Sequence, residues 1–239
     1  MKKDHRPYFI KKAYLKFQKF YVAHFLRPHF EFLGNGYNFM GPWHVEVFGS
    51  PVLLGDYATV IATPDKKIRL SVWSEKKDMG RIQIGSFCII CPGVRISSAA
   101  DILIGDNCMI ASGSYITDSD WHDIYDRVST GKSRPVIIEN NVWIGDSAIV
   151  CKGVVIGENS IIGAGSVVVN DIPPNVIAAG NPAKIVRHLD ANEKINTRKS
   201  FFSDPALLSI YFDAMDRDVL GKNTFFHWLR YLLFPREGD

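Results

Sequence analysis

An apolar residue returns at every sixth position over long stretches between Ile84 and Val168. Neither the 3.6-residue period of a helix nor the two-residue alternation of a strand produces this spacing. A short fixed repeat is typical of a solenoid, in which each unit buries its apolar face only by stacking on its neighbours. The leading residues of the hexads are Ile84, Ile90, Ile96, Ile104, Ile110, Ile116, Ile138, Ile144, Val150, Ile156, Ile162 and Val168.

Glycine and asparagine recur three positions after many of these leaders, and both residue types tolerate a positive φ angle. Each hexad is therefore interpreted as a short extended segment followed by a sharp corner, with its leader pointing into the coil. A β-sandwich with Gly-rich turns is the alternative, but sandwich turns do not usually keep a six-residue register over this length. The corner residues are Gly93, Asn107, Gly113, Asn141, Gly153, Asn159 and Gly165.

The six-residue register slips twice. Ile104 follows Ile96 after eight residues, and Ile138 follows Ile116 after twenty-two. Insertions into a solenoid form surface loops and often lie on its binding face. We therefore predict a long functional loop at about residues 118–136.

Composition narrows the class of protein. The chain has 239 residues, of which 46% are hydrophobic, so one domain with appendages is expected. A net charge of +3 is too small to imply a nucleic-acid partner. The N-terminus lacks the uninterrupted apolar stretch of a signal peptide, so a cytoplasmic protein is expected.

Four cysteines occur, and Cys88 with Cys91 forms a CxxC that is compatible with redox or zinc chemistry. All four occupy hexad positions where small residues recur, and the sequence contains no second CxxC. We therefore interpret them as packing residues and expect no metal.

The periodicity divides the chain into three parts: an N-terminal helical extension at 1–43, the coil at 44–188 and a C-terminal helical extension at 189–239. Polar turns are predicted at 64–67 and 75–78. Both extensions combine basic and aromatic residues. They are expected to cap the open ends of the coil, with contact to a membrane surface as a further role.

One histidine, His122, lies near the start of the predicted long loop, in the segment Thr117-Asp118-Ser119-Asp120-Trp121-His122-Asp123. An imidazole can accept a proton from a hydroxyl or an amine. The carboxylates of Asp118, Asp120 and Asp123 are all candidates for fixing the tautomer of His122, and the sequence does not choose among them.

Three motifs accompany the hexads: NNVWIG from Asn140 to Gly145, IPPNV from Ile172 to Val176, and AGNPAK from Ala179 to Lys184. Residues 84–188 thereby resemble the hexapeptide-repeat acyltransferases, closest to the galactoside, maltose and other sugar O-acetyltransferases. The resemblance implies a left-handed parallel β-helix, which is an exception to the usual right-handed crossover. It also implies a homotrimer with active sites between subunits.

The same resemblance assigns roles to residues. His122 matches the general base, and acetyl-CoA is the expected acyl donor. Trp143 would flank the reacting end of this donor, and Lys184 and Arg187 would face its phosphates. The residues expected along the pantetheine arm are Gly145, Asp146 and Ala164.

The acceptor site matches the family less well. Galactoside-type enzymes have an acidic residue in the coil before the histidine, where this chain has Ser98-Ala99-Ala100-Asp101. We therefore expect a sugar acceptor without carrying over galactoside. The candidate acceptor-binding residues are Asp101, Asp120, Trp121 and Tyr125.

The predicted function is acetyl transfer to a sugar hydroxyl in the synthesis of a bacterial surface polysaccharide or glycolipid. N-acetylation of an amino sugar and a non-catalytic scaffold are the alternatives. A zinc hydratase on this coil needs three converging histidines, and a nucleotidyltransferase needs a Rossmann-like domain before the coil. The sequence favours neither of these two.

Overall fold

Three mainly parallel sheets form a coil in the computed structural model, which describes residues 4–73 and 80–237. Strands are numbered in chain order. The first sheet contains β1 (Phe32–Leu33), β4 (Val52–Leu54), β7 (Ile82–Ile84), β10 (Ile102–Ile104), β13 (Val136–Ile138) and β16 (Val155–Ile156). The second contains β2 (Asn38–Met40), β5 (Thr59–Ile61), β8 (Ile89–Ile90), β11 (Met109–Ile110), β14 (Trp143–Ile144), β17 (Ile161–Ile162), β19 (Val176–Gly180) and β20 (Ala183–His188). The third contains β3 (Val45–Phe48), β6 (Ile68–Val72), β9 (Arg95–Ser98), β12 (Tyr115–Thr117), β15 (Ile149–Val150) and β18 (Val167–Val168).

The hexad leaders form the core of this coil, as the sequence predicts. All twelve are at most 3% exposed. Leaders of successive turns pair in register, as Ile104 does with Ile138 and Ile110 with Ile144. Each buried aliphatic side chain contributes about 1.5–3 kcal/mol, so the stacked leaders stabilise strands that are only two to four residues long.

The seven predicted corner residues all have positive φ angles. One corner, between the second and third sheets, is built from Gly93, Gly113, Ser147 and Gly165, and we call it the glycine corner. The corner between the first and second sheets carries a ladder of amides, in which Asn141 donates to Asn159 and Asn159 donates to Asn175, each at 2.9 Å. These corners explain why the turns of the coil stay in register.

The chain divides into two compact units. The coil unit spans Tyr21–Ser200, and the helical unit combines the chain up to Phe20 with the chain from Phe201. The first strand of the coil, Phe32–Leu33, lies upstream of the boundary at residue 44 that the periodicity predicts. The predicted turn at 64–67 is present, whereas the one at 75–78 lies outside the described residues.

In the described part of the chain, four segments outside the strands are α-helical: α1 (Tyr8–Tyr21), α2 (Arg198–Phe201), α3 (Pro205–Leu220) and α4 (Phe225–Leu233). Within the helical unit, Asp213 of α3 accepts a hydrogen bond of 2.8 Å from the Tyr8 hydroxyl and pairs with Lys12. Among the described residues, no helix is long and apolar enough to cross a membrane.

Candidate active site

The long insertion leaves the coil after β12 and returns at β13, and its two arms run against each other. The Asp120 amide donates to the Lys132 carbonyl at 3.2 Å, and the Ser133 hydroxyl donates to the Ser119 hydroxyl at 2.9 Å. A β-carbon on Gly131 would lie 2.5 Å from the His122 carbonyl oxygen, so glycine permits this close approach. The loop thereby holds the His122 backbone while the residue itself is exposed.

Asp118 is fully buried at the start of this loop and binds the preceding turn of the coil. One carboxylate oxygen accepts from the Ala99 amide at 2.7 Å, and the other accepts from the Ala100 amide at 2.9 Å and the Ser98 hydroxyl at 2.7 Å. Burial raises the pKa of Asp118 above its ordinary value, although these hydrogen bonds act in the opposite direction. The carboxylate therefore fastens the two-residue bulge between Ile96 and Ile104 to the base of the loop.

The other two candidate carboxylates are also engaged. Asp120 forms an ion pair with Lys152. Asp123 accepts from the amides of Tyr125 and Asp126 at 2.9 and 3.1 Å, which closes a turn inside the loop. Among the described residues, none of the three carboxylates considered from sequence forms a hydrogen bond to the His122 imidazole.

The candidate acceptor residues are only partly brought together. Trp121 adjoins His122, and its indole N–H donates to the Thr117 hydroxyl at 3.1 Å. Tyr125 is 91% exposed farther along the loop. Asp101 forms an ion pair with Arg81, with 3.3 Å between Oδ1 and Nε, directly before the neighbouring strands β10 and β7 of the first sheet.

The second sheet aligns the two ends of the expected donor site. Trp143 pairs with Ile161, Ile161 with Ile177, and Ile177 with Arg187, so the four residues form one row across adjacent strands. Trp143 and Arg187 are both exposed. Three strand spacings separate them by about 14 Å, which leaves an extended path between the aromatic ring and the guanidinium.

The glycine corner runs beside this row and offers backbone donors. Within the described part of the chain, the amides of Asp146 and Ala164 donate no hydrogen bond, and both residues are exposed. Gly145 is buried directly beside them, and its β-carbon would lie 2.5 Å from the Ile162 carbonyl oxygen. Two free N–H groups on neighbouring turns are suited to the amide carbonyls of an extended ligand.

Lys184 lies on β20, opposite Ala179, in the same hairpin as Arg187. Both cations are exposed, and neither forms an ion pair with a described residue. An arginine and a lysine on one hairpin suit a polyanion, because guanidinium and ammonium groups form charge-assisted hydrogen bonds with phosphate oxygens.

Sequence reasoning missed two groups that the structure places at the site. Lys152, which pairs with Asp120, lies one turn along the coil from Asp118 and shows no signal of its own in the sequence. The buried role of Asp118 was also missed, although its spacing of about twenty residues from Ser98 matches one turn of the coil. Among the described residues, no group of three or more His, Cys, Asp or Glu side chains is arranged to hold a metal.

Comparison with known proteins is consistent with this architecture. Residues 135–170 match the family described as bacterial transferase hexapeptide (six repeats), and residues 101–118 match the hexapeptide repeat of succinyl-transferase. A point mutant of AntD, an N-acyltransferase from Bacillus cereus solved with dTDP and coenzyme A, superposes with a TM-score of 0.52 at 18% identity. That alignment covers 76% of this chain and 92% of AntD.

Two curated relatives align with part of the chain. Galactoside O-acetyltransferase of Escherichia coli K12 is 42% identical over 95 residues, which is 39% of this chain and 47% of that protein. The putative acetyltransferase YJL218W of Saccharomyces cerevisiae is 51% identical over 65 residues, or 27% of this chain and 33% of its own length. The chain therefore spans about half or less of the length of these relatives.

The fold is a left-handed parallel β-helix with helical flanks, as predicted from the resemblance. Residues 101–118 and 135–170 carry hexapeptide repeats, and in them the chain is similar to the hexapeptide-repeat acyltransferases.

Proposed function

We propose that this protein is an acetyl-CoA-dependent O-acetyltransferase that acts on a sugar hydroxyl in the synthesis of a bacterial surface polysaccharide or glycolipid. The proposal rests on one observation. His122 is exposed on a loop held by hydrogen bonds, and the same chain has a row of residues across the second sheet, from Trp143 to Arg187, that can accommodate an extended donor. The segment shared with galactoside O-acetyltransferase supports the same chemistry. The reaction is assigned to the cytoplasm.

The proposed reaction is direct transfer. The His122 imidazole accepts the proton of the acceptor hydroxyl while the oxygen forms a bond to the thioester carbonyl carbon. The carbon–sulfur bond then breaks, and the imidazolium returns the proton to the departing thiolate. A thioester is already activated, so neither a nucleophilic serine nor a cysteine is required.

The donor is proposed to lie along the glycine corner. Its acetyl end would adjoin Trp143. The carbonyl groups of its pantetheine arm would accept hydrogen bonds from the amides of Asp146 and Ala164, beside Gly145. Its phosphates would contact Lys184 and Arg187. We assign the contacts to the acceptor sugar to Asp120, Trp121 and Tyr125 on the loop. Asp101 would contact the acceptor only if its ion pair with Arg81 broke.

N-acetylation of an amino sugar remains the alternative reaction, because the same base serves an amine. The proposed assembly is a homotrimer, with each active site between neighbouring subunits. In that arrangement the group that orients His122 would come from the neighbouring subunit or from the acceptor, since the three nearby carboxylates in its own chain are engaged.

Removing Lys184 and Arg187, the two cations proposed to bind the phosphates of the donor, should weaken donor binding. In the Lys184→Ala/Arg187→Ala double variant, we expect the KM for acetyl-CoA to rise about 10- to 100-fold, because charge-assisted hydrogen bonds to phosphate are lost. Release of free thiol from acetyl-CoA, measured against a panel of nucleotide-linked and lipid-linked sugars, tests both this prediction and the proposed activity. Lys194→Ala removes an exposed lysine outside the site and should leave the KM unchanged. An unchanged KM in the double variant would contradict the placement of the phosphates.

The chain around α4 supports peripheral membrane contact. Phe226 is 81% exposed, Leu233 and Phe234 are also exposed, and the stretch 219–236 contains no Asp or Glu. An apolar helix face beside basic residues is suited to the surface of an anionic bilayer. We expect the protein to sediment with vesicles that contain anionic lipid, and the Phe226→Ser/Leu233→Ser variant to remain in the supernatant. Equal sedimentation of both proteins would contradict this role for α4.

A further inference from the structure

A basic cavity of about 400 Å³ lies at the N-terminal end of the glycine corner and plays no part in the site described above. Four cations line it: Lys66, Lys67, Arg69 and Arg95. We call this group the basic cradle. It belongs entirely to the coil unit and lies outside the predicted site residues.

The coil brings these cations together from two successive turns. Arg69 on β6 pairs with Arg95 on β9, so the two guanidinium groups occupy adjacent positions on the outer face of the third sheet. Lys66 lies at the corner before β6, and its carbonyl accepts from the Gly93 amide at 3.1 Å. Arg69 and Arg95 lie twenty-six positions apart in the sequence, so linear sequence alone does not show the cluster.

The cradle retains uncompensated positive charge. Glu46 pairs with Lys67 and Arg69 at 2.7 and 2.8 Å, and the flanking cations lower the pKa of its carboxyl. Asp65 lines the same cavity. The group thus combines four cations with two carboxylates, and neither Lys66 nor Arg95 forms an ion pair within the described residues. The excess of two positive charges matches the charge of a diphosphate linkage.

Lys66 and Arg95 are both exposed and already positioned. The Lys66 ammonium lies 3.4 Å from the Ser112 hydroxyl. The Arg95 guanidinium stacks over the Tyr115 ring at 4.4 Å, which fixes its plane while leaving its N–H groups available. A planar, pre-oriented guanidinium is the group best suited to bind a phosphate through two parallel hydrogen bonds.

The position of the cradle connects it to the proposed reaction. Hydrogen bonds join Gly93 to Lys66, Gly113 to Pro92 and Ser147 to Ser112, so the cradle continues the corner that carries Asp146. Each layer adds about 4.8 Å. Tyr115, beneath Arg95, lies on β12, which leads directly into the loop of His122.

We propose that the basic cradle binds the diphosphate of a diphosphate-linked sugar acceptor and thereby determines which sugars reach His122. This inference rests on the proposed function. A nucleoside diphosphate and an isoprenyl diphosphate share the same recognised group, so either can supply the acceptor.

Calorimetry with inorganic pyrophosphate tests the cradle without requiring activity. The titration uses the full chain with Lys184→Ala/Arg187→Ala, which removes the other cation pair expected to hold phosphates. We expect binding to weaken at least tenfold when Lys66→Ala/Arg95→Gln is added, and less than twofold when Lys194→Ala/Lys222→Ala is added as a control of equal charge. Absence of binding before the cradle is changed, or equal loss in both variants, would overturn the proposal.

Activity measurements then distinguish the two sources of the diphosphate. In an otherwise unaltered chain, Lys66→Ala/Arg95→Gln should raise the KM for either a nucleoside-diphosphate sugar or a detergent-solubilised isoprenyl-diphosphate sugar at least tenfold. The KM for acetyl-CoA should not change, and Arg95→Lys should recover part of the loss. Transfer only to uncharged sugars would overturn the cradle assignment. Cradle-dependent pyrophosphate binding without transfer to any acceptor would instead support the cradle as an anion site and overturn the proposed function.

Discussion

Replacing His122 with alanine is expected to lower kcat about 10²–10⁴-fold, which is the usual contribution of a general base. The side chain is exposed on a loop whose backbone is held by other residues, so its removal should leave the fold intact. The KM for acetyl-CoA should stay within about threefold of the original value, because the donor is assigned to a different set of residues. Steady-state release of thiol in the presence of the acceptor measures both quantities.

His29→Ala provides a matched control, since His29 is an exposed histidine on a short turn before the first strand of the coil. Its removal should leave kcat unchanged. A His122→Ala variant that retains a third or more of the original kcat would exclude this imidazole as the base and favour the scaffold alternative.

Replacing Asp118 with alanine is expected to destabilise the protein by about 3–4 kcal/mol, because the amides of Ala99 and Ala100 would lose their buried acceptor. The same change should lower kcat, since Asp118 anchors the start of the loop that presents His122. Urea unfolding monitored by circular dichroism measures the first effect, and thiol release measures the second.

Asp126→Ala is the matched control for this prediction. Asp126 is an exposed carboxylate in the same loop, and it accepts a local hydrogen bond from the Val128 amide at 3.3 Å. We expect it to change the free energy of unfolding by less than about 0.5 kcal/mol. Equal destabilisation by the two substitutions would show that Asp118 has no special anchoring role.

The sequence predicts the coil well because the repeat itself carries the three-dimensional information. Every hexad leader is buried, and every predicted corner residue has a positive φ angle. The long loop also appears where the register slips between Ile116 and Ile138. The handedness of the coil cannot be predicted from the repeat, because a six-residue spacing fits a left-handed or a right-handed coil. Only the family resemblance indicates the left-handed form.

The candidate site was harder to predict, because its contacts cross turns of the coil. Asp118 was considered as a partner of His122 from its position four residues away, yet it binds the bulge at Ser98–Ala100 one turn earlier. Arg95 and Lys66 likewise meet only after the third sheet has formed. Proximity along the chain therefore did not reveal the contacts of Asp118 across turns of the coil, nor the basic cradle.

A crystal structure of the protein with bound coenzyme A would show where the donor lies relative to His122. We expect a trimer in which the ligand follows the glycine corner from Trp143 towards Arg187, with its sulfur within about 4 Å of a His122 imidazole. Coenzyme A bound away from this corner, or an imidazole turned away from the sulfur in every subunit, would contradict this expectation.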